Sequence, residues 1–318
     1  MMLKREKEML SHEETLRCLR QQHDEGGPWK GEDIDSLEAQ LKEMKQALYR
    51  SLTPDERVSI CRHPKRPRSV DYIHHLCDEF VEIFGDRHYG DDSAIVTGFG
   101  EIGCRKVVII AQEKGGDTES RLYRNFGMPH PEGYRKAMRI MRLAEKFQLP
   151  ILSLIDTPGA YPGLAAEERG QGRAIAYNLR EMSALKTPIM ALIIGEGCSG
   201  GALGIGLADQ IAMLEHAYYS VISPEGCASI LWKDAGKSNE AAKQLKMQSE
   251  DLLREGVIDT IIQEPQGGAH YDPNTLYSHV KNWIQESLEA LEKIPLHDLL
   301  DHRYQKFRRI GSHIKQSM

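Results

Sequence analysis

The sequence predicts an α/β chain with parallel strands behind an N-terminal helical extension. Short apolar runs alternate with helical stretches from residue 94 to residue 262, the pattern of a parallel sheet. Two stretches, 150–163 and 188–206, share one layout: a proline, a buried strand and a Gly-rich turn leading into a helix. The first fifty or so residues are highly charged and helical in character. The organisation expected is a charged helical extension over 1–52 and one larger domain over 53–318.

In order, residues 1–22 and 33–50 read as helices with a break at 24–28, DEGGP. Thr53, Pro54, Asp55 and Glu56 supply an N-cap, a first-turn proline and two acids at the positive end of a helix dipole. The densest basic tract, RHPKRPR at 62–68, carries Pro64 and Pro67 and reads as a solvated connector. Ser69 opens a helix with Tyr72, Ile73, Leu76, Phe80 and Ile83 on one face. Strands follow at 94–96 and 107–111. Pro131 and Glu132 start a helix that runs to Phe147, with Met138 and Met141 as core filler. Further strands fall at 151–155, 189–194, 211–214, 218–222 and 257–262. Residues 274–292 form an amphipathic helix whose stripe of Leu276, Val280, Trp283, Ile284, Leu288 and Leu291 belongs to the core.

Composition excludes several classes. The 318-residue chain has a net charge of −6 and no basic tract long enough for nucleic acid. Its six cysteines are scattered with no C-x-x-C pair, which argues against a zinc site in this chain and fits a reducing cytoplasm. No apolar run approaches the roughly eighteen residues of a membrane span, and the charged N-terminus lacks the apolar core of a signal peptide. The expectation is a cytoplasmic protein.

Chemistry points to the two glycine turns. The run from Ile189 to Ile194 ends in Gly195, Gly197, Gly200 and Gly201, and a helix of small residues follows. Uncovered amides at such a helix start attract a phosphate or a developing oxyanion. Gly195, Gly197 and Gly200 also match the dinucleotide pattern G-x-G-x-x-G, but about ten residues to the next strand are too few for its crossover helix. Gly197, Ser199 and Gly201 match the nucleophile elbow G-x-S-x-G, with His270 downstream as a base. DTPG at 156–159 has no accompanying G-x-x-x-x-G-K-[ST], so a GTPase is excluded. A non-catalytic role, with glycines serving only to pack helix on strand, stays open at this point.

Two strand–turn–helix units with bare amides suit chemistry on a thioester, as in acyl-CoA enzymes of the crotonase type. RNFGMPHPEGYRK at 124–136, IDTPGAYPG at 155–163, EERGQ at 167–171, NLREMS at 178–183 and YSVISPEGCASILWK at 219–233 resemble the alpha subunits of bacterial acetyl-CoA carboxylase carboxyltransferase. The resemblance covers about residues 50–310; before that, only length and helical character match. It implies a crotonase-like (ClpP/crotonase) superhelical βαβ core. It implies carboxyl transfer from carboxybiotin, carried on the biotin carboxyl carrier protein, to acetyl-CoA, giving malonyl-CoA for fatty-acid synthesis. The implied partners are a zinc-ribbon beta subunit in an α2β2 heterotetramer and biotin carboxylase. Zinc is expected in the beta subunit only, and no cofactor is expected to be covalently bound here. Gly200 and Gly201 would supply the biotin-side oxyanion hole from their amides, with Gly159, Gly163, Gly197 and Arg124 at the substrate. Arg135 and Lys136 would either meet coenzyme A or the carrier, or form a solvated helix face. Two positions depart from the family pattern: Cys198 where glycine is usual, and Gly116 where arginine is usual. The first would narrow the biotin pocket or create a reactive thiol; the second removes one phosphate contact. A crotonase-like serine hydrolase using Ser199 is the alternative.

Overall fold

The structure, a computed structural model, describes residues 4–311. Helices α1 (Lys4–Asp24) and α2 (Gly31–Arg50) pair as a hairpin across the anticipated break, and residues 1–3 of the expected first helix lie outside the described residues. α2 buries Ile34, Leu41 and Leu48. The hairpin meets the body through Tyr271, whose hydroxyl donates to the Glu13 carboxylate (2.9 Å) and accepts from Lys45 (3.2 Å).

Helix α3 (Pro54–Cys61) starts at Thr53 as expected. Glu56 N donates to Thr53 Oγ1 (3.3 Å) and Thr53 N to Glu56 Oε2 (2.8 Å), a reciprocal capping box. Helix α4 (Ser69–Leu76) is shorter than the sequence suggested. The Cys77 amide closes its last turn, and Asp78 N then bonds to the Glu101 carbonyl (2.8 Å), drawing the chain into strand β1 (Glu79–Glu82). Phe80 and Ile83 therefore belong to a sheet edge and its exit, not to a helix.

Beyond lie β2 (Ile95–Ile102), β3 (Arg105–Gln112), α5 (Thr118–Tyr123), a 3-10 turn (Asn125–Gly127), α6 (Pro131–Phe147), β4 (Ile151–Thr157), α7 (Leu164–Glu168) and α8 (Gln171–Ala184). The chain continues through β5 (Ile189–Cys198), α9 (Ser199–Gly206), β6 (Gln210–Leu214), β7 (Tyr218–Ser220), α10 (Pro224–Trp232) and a second 3-10 turn (Ala235–Lys237). It ends in α11 (Ser238–Leu245), α12 (Ser249–Arg254), β8 (Thr260–Ile262), α13 (Pro273–Leu291) and α14 (Leu296–Arg309). β8 begins later than anticipated because the Val257 and Ile258 amides fold back onto Leu252 O and close α12. β7 is cut short as Ser223 caps α10.

One sheet runs β1-β2-β3-β4-β5-β6-β8, with β7 added on β5. The first three strands are antiparallel, and β3 through β8 are parallel as predicted. Every residue of β4 and β5 is buried, the consequence of helices on both faces. α6, α8 and α9 form one layer, while α4 and α13 form the other. The α13 stripe named above is buried throughout.

Two features escaped the sequence. The 62–68 tract is no solvated connector: Arg66 is buried and pairs with Glu264 through two hydrogen bonds (2.6 and 2.9 Å). Arg303 of α14 is buried as well. Its guanidinium donates to the Met182, Leu185 and Thr187 carbonyls (2.8–2.9 Å) and to both Asp209 oxygens (2.7 Å). Asp209 Oδ2 in turn accepts from Ile189 N, where β5 begins (2.8 Å).

Candidate active site at the glycine turns

Strand β5 does not run straight into its turn. Met190 to Ile193 pair with β6, whereas Glu196 to Cys198 pair with β7. On the β4 side the register slips by two residues, from Ile155 opposite Ile193 to Thr157 opposite Gly197. Backbone groups at such a dislocation lose their ladder partners and need others. Charged side chains supply them: Arg66 Nε donates to Ile194 O (2.9 Å), and Glu196 N donates to Asp156 Oδ1 (2.9 Å). The Asp156 carboxylate fills the space beside Gly195, where a Cβ would lie 2.3 Å from Oδ1.

The dislocation feeds α9, whose first-turn amides have no intrahelical partner. α9 crosses from β5 to parallel β6 in only eight helical residues because small side chains let it lie close to its neighbours. A Cβ on Gly201 would sit 2.5 Å from Gly159 C and 2.6 Å from Ala160 N, so the two predicted turns touch backbone to backbone. A Cβ on Gly204 would meet the Tyr134 ring at 2.5 Å. Gly200 is different: its Cβ would find Ile175 Cδ1 at an ordinary 3.5 Å. Gln112 Nε2 (2.7 Å) and the Tyr134 hydroxyl (3.2 Å) both donate to Gly201 O, and Asn178 Nδ2 donates to Gly204 O (2.9 Å), which fixes the helix.

Beside Ser199 and Gly200 opens a cavity of ≈620 Å³ whose walls include Leu203, Leu207, Val221, Leu245 and Phe307. A charged cluster surrounds Glu196, apart from the residues of that cavity. Lys114 Nζ bridges Asp156 Oδ1 (2.6 Å) and Glu196 Oε2 (2.5 Å). Glu196 Oε1 accepts from Arg62 Nε (2.7 Å) and the Tyr218 hydroxyl (2.5 Å), and Arg62 also pairs with Glu225 (2.6 Å). Burial pushes the Glu196 carboxyl up, but Lys114, Arg62 and the Tyr218 hydrogen bond outweigh it and hold it at about 2. Burial opposes the Lys114 charge, yet Asp156 and Glu196 keep its ammonium above the usual lysine range. None of these six groups entered the sequence-derived site. Their one sequence signal is a carboxylate just past each buried apolar run, Asp156 after Ile155 and Glu196 after Gly195.

The structure brings Gly159, Gly197, Gly200 and Gly201 together, through the Gly159–Gly201 contact and the Thr157–Gly197 pairing. Gly163 lies at the start of α7, with its own Cβ position against Tyr161. Arg124 is not gathered in. Its guanidinium donates to Ser93 O (2.7 Å), although the Gly127 carbonyl nearby accepts from Thr157 Oγ1 (2.6 Å). Arg135 and Lys136 are not a solvated face: they hold Asp86 (2.8 Å) and Asp91 (2.7 Å) in the 86–92 loop. Cys198 points into the protein with Sγ 3.5 Å from the Tyr218 hydroxyl, and burial raises its thiol to about 11, so it neither narrows the cavity nor presents a thiolate. The space beside Gly116 is taken by Arg68, whose Nη1 lies 2.6 Å from a Cβ placed there.

Ser199 has a left-handed backbone, φ +60°, as a nucleophile elbow requires. No base accompanies it. Its cavity has no histidine or carboxylate in its walls, and His270 stacks on His63 (3.7 Å between ring centroids) at a different place. A hydrolase needs a proton acceptor within reach of the hydroxyl, and the described residues do not provide one.

Comparison with known proteins shows the family of the chain. A model of the family described as acetyl co-enzyme A carboxylase carboxyltransferase-like matches residues 2–311, so the likeness includes the helical hairpin that the motifs alone left out. A protein of Protochlamydia amoebophila named acetyl-coenzyme A carboxylase carboxyl transferase subunit alpha is 58% identical over 313 residues, covering 98% of this chain and 99% of its own. Its counterpart in Chlamydia caviae is 54% identical over 310 residues, covering 98% and 96%. Among solved structures, transcarboxylase 12S aligns with a TM-score of 0.58 at 20% identity, over 72% of this chain and 42% of that one, a likeness of fold. The fold is thus the crotonase-like α/β fold of carboxyltransferases, and the chain belongs to the family of acetyl-CoA carboxylase carboxyltransferase alpha subunits.

Proposed function

We propose that this subunit stabilises the biotin side of carboxyl transfer to acetyl-CoA, using the Gly200 and Gly201 amides at the start of α9. The observation that carries the reading is the position of Gly200: a first-turn residue of α9 on the wall of a ≈620 Å³ cavity. The reaction makes two anions. The carboxyl–nitrogen bond of carboxybiotin breaks, releasing carbon dioxide and leaving negative charge on the ureido oxygen. The ureido nitrogen takes a proton from the acetyl methyl group, the resulting enolate attacks carbon dioxide, and malonyl-CoA forms. Amides aimed at the ureido oxygen stabilise the first anion by about 3 kcal/mol each. The enolate falls to a beta subunit, which fits a half-site with one set of donors. No side-chain base is required, in keeping with the surroundings of Ser199.

The remaining partners follow from the same reading: a zinc-ribbon beta subunit in an α2β2 heterotetramer, with biotin carboxylase and the biotin carboxyl carrier protein. Gly159 and Gly197 support the turn from outside the cavity, through the Gly201 and Thr157 contacts. Gly163 lies further off at the start of α7, Arg124 is engaged with Ser93, and residues 1–52 are a helical extension to the domain of 53–318. Among the described residues no group of three or more His, Cys, Asp or Glu could hold a metal ion, and no helix is long and apolar enough to cross a membrane. The protein is read as cytoplasmic.

A side-chain deletion cannot remove a backbone donor, but proline can. Gly200→Pro deletes the N–H in the first turn of α9, where no preceding-turn carbonyl opposes the ring. Ser199 before it is then driven from its left-handed conformation, so retained assembly with the beta subunit is checked first. Gly200→Ala keeps the amide and fits beside Ile175. With the beta subunit bound, Gly200→Pro should lose carboxyl transfer about a hundredfold while Gly200→Ala stays within about fivefold. Full transfer by an assembled Gly200→Pro complex would rule the reading out.

A further inference from the structure

Nothing in the proposed chemistry uses the cluster around Glu196, although polar and charged groups from four parts of the chain converge there. Lys114 follows β3, Asp156 is the penultimate residue of β4, Arg62 follows α3 and Tyr218 starts β7. All of them touch Glu196 or its amide, and Glu196 lies four residues before Gly200. We propose that Glu196 is the positioning residue of the oxyanion turn: its carboxylate, held between Lys114, Arg62 and Tyr218, sets where α9 begins. The inference rests on the reading of Gly200 and Gly201 given above.

The dislocation is what makes such a residue necessary. Between Ile193 and Glu196 the strand leaves β6 and has not yet joined β7, so Ile194 and Gly195 have no sheet register of their own. Gly195 has no side chain to anchor it, and a Cβ there would collide with Asp156. Glu196 is therefore the first residue past the break that can be gripped through its side chain. Its two oxygens have separate partners: Lys114 holds Oε2, while Arg62 and Tyr218 hold Oε1. Two residues later Cys198 adds a thiol contact to the same Tyr218 hydroxyl. From there the chain enters α9 with Ser199 already in its left-handed conformation, leaving little slack between the clamp and the amides. An amide donor misplaced by about 1 Å costs on the order of a hundredfold in rate, so the clamp acts on turnover.

A charge clamp and a mere space-filler order the variants oppositely. Glu196→Gln keeps the shape and loses the charge; Glu196→Asp keeps the charge, and the flexible Lys114 chain can follow a carboxylate one methylene shorter. In the complex assembled with the beta subunit, Glu196→Gln should lower kcat at least tenfold with KM for acetyl-CoA unchanged, and Glu196→Asp should stay within threefold of wild type. Wild-type kcat in Glu196→Gln, or Glu196→Asp slower than Glu196→Gln, overturns the proposal. Should Glu196→Gln fail to assemble, Arg62→Gln at the solvent-facing end of the cluster decides the matter. A threefold or larger fall in kcat supports the clamp, and an unchanged kcat rejects it. The Gly200→Pro arm separates the two failures. Loss there with full activity in Glu196→Gln rejects the clamp alone, whereas activity in Gly200→Pro rejects the oxyanion turn itself.

Discussion

Gly201 and Gly159 meet with no side chain between them: a Cβ on Gly201 would lie 2.5 Å from the Gly159 carbonyl carbon. The two glycine turns are thus one packed unit, and the glycines within α9 divide into those a Cβ would crowd and one, Gly200, where a Cβ would find only ordinary contact with Ile175.

Substitution should expose that division. Glycine inside a helix gives up about 1 kcal/mol against alanine, so a helix with four of them holds them for another reason. Gly201→Ala strikes backbone, which cannot step aside, and Gly204→Ala strikes the buried Tyr134 ring. Each should destabilise the chain by about 1–3 kcal/mol, the cost of overpacking, as measured by urea unfolding. Gly200→Ala should not destabilise. Equal losses at all three positions would contradict the contacts described here.

Ser199 presents the reverse case. A non-glycine residue at φ +60° carries about 1 kcal/mol of backbone strain. Ser199→Gly should raise unfolding stability by up to about 1 kcal/mol, less the entropy glycine adds to the unfolded chain. With no base beside the hydroxyl, Ser199→Gly and Ser199→Ala should both retain carboxyl transfer, and a fluorophosphonate probe should not label Ser199. Labelling, or loss of nearly all activity in both variants, would restore the serine as a nucleophile.

The Arg66–Glu264 pair gives a pH signature. Burial pushes the Glu264 carboxyl up, but Arg66, His216 and their hydrogen bonds hold it at about 2, below its ordinary 4.5. A depressed carboxylate stabilises the fold above its unfolded pKa, and that stability is lost as pH falls from about 4.5 toward 2. Arg66→Met leaves Glu264 buried with only the His216 and Ala269 amides (3.0 and 2.6 Å) as hydrogen-bond donors. At pH 7 the variant should lose on the order of 3–5 kcal/mol. The gap to wild type should narrow as acid protonates the stranded carboxyl, which urea unfolding at pH 7 and at pH 4.5 would reveal. A gap that widens in acid contradicts the assignment.

Local signals in the chain matched local structure. Thr53 and Glu56 form their capping box, Pro131 opens α6, and the apolar runs after Pro150 and Pro188 are the central buried strands. What could not be read depends on residues far apart in sequence. The tract at 62–68 looks solvated because nothing within it reveals that Arg66 meets Glu264 or that Arg62 meets Glu196. The two-residue slip of β5 depends on its pairing with β7, so the strand seemed to stop at Ile194 when it continues through Gly195 and Gly197 to Cys198. The Gly200–Gly201 turn was visible as a pattern, but not the assignment of Gly201 to packing, which comes from a loop some forty residues earlier. Helix α14 was missed altogether: its inward residues, Leu299 and Arg303, are too few to make an apolar stripe.

Arg303 bears on the order in which the molecule is completed. It closes the carbonyls of Met182, Leu185 and Thr187 and holds Asp209 against the first amide of β5. A chain emerging from the ribosome therefore presents both sequence copies of the glycine turn before the cation that seals the base of β5 has been made. Until residue 303 appears, those carbonyls lack the guanidinium and the Asp209 carboxylate keeps only the Ile189 amide and water, so the central strand is held less firmly at its starting end. The glycine turn sits at the far end of the same strand, so both ends of β5 are fixed only after residue 303 has been made.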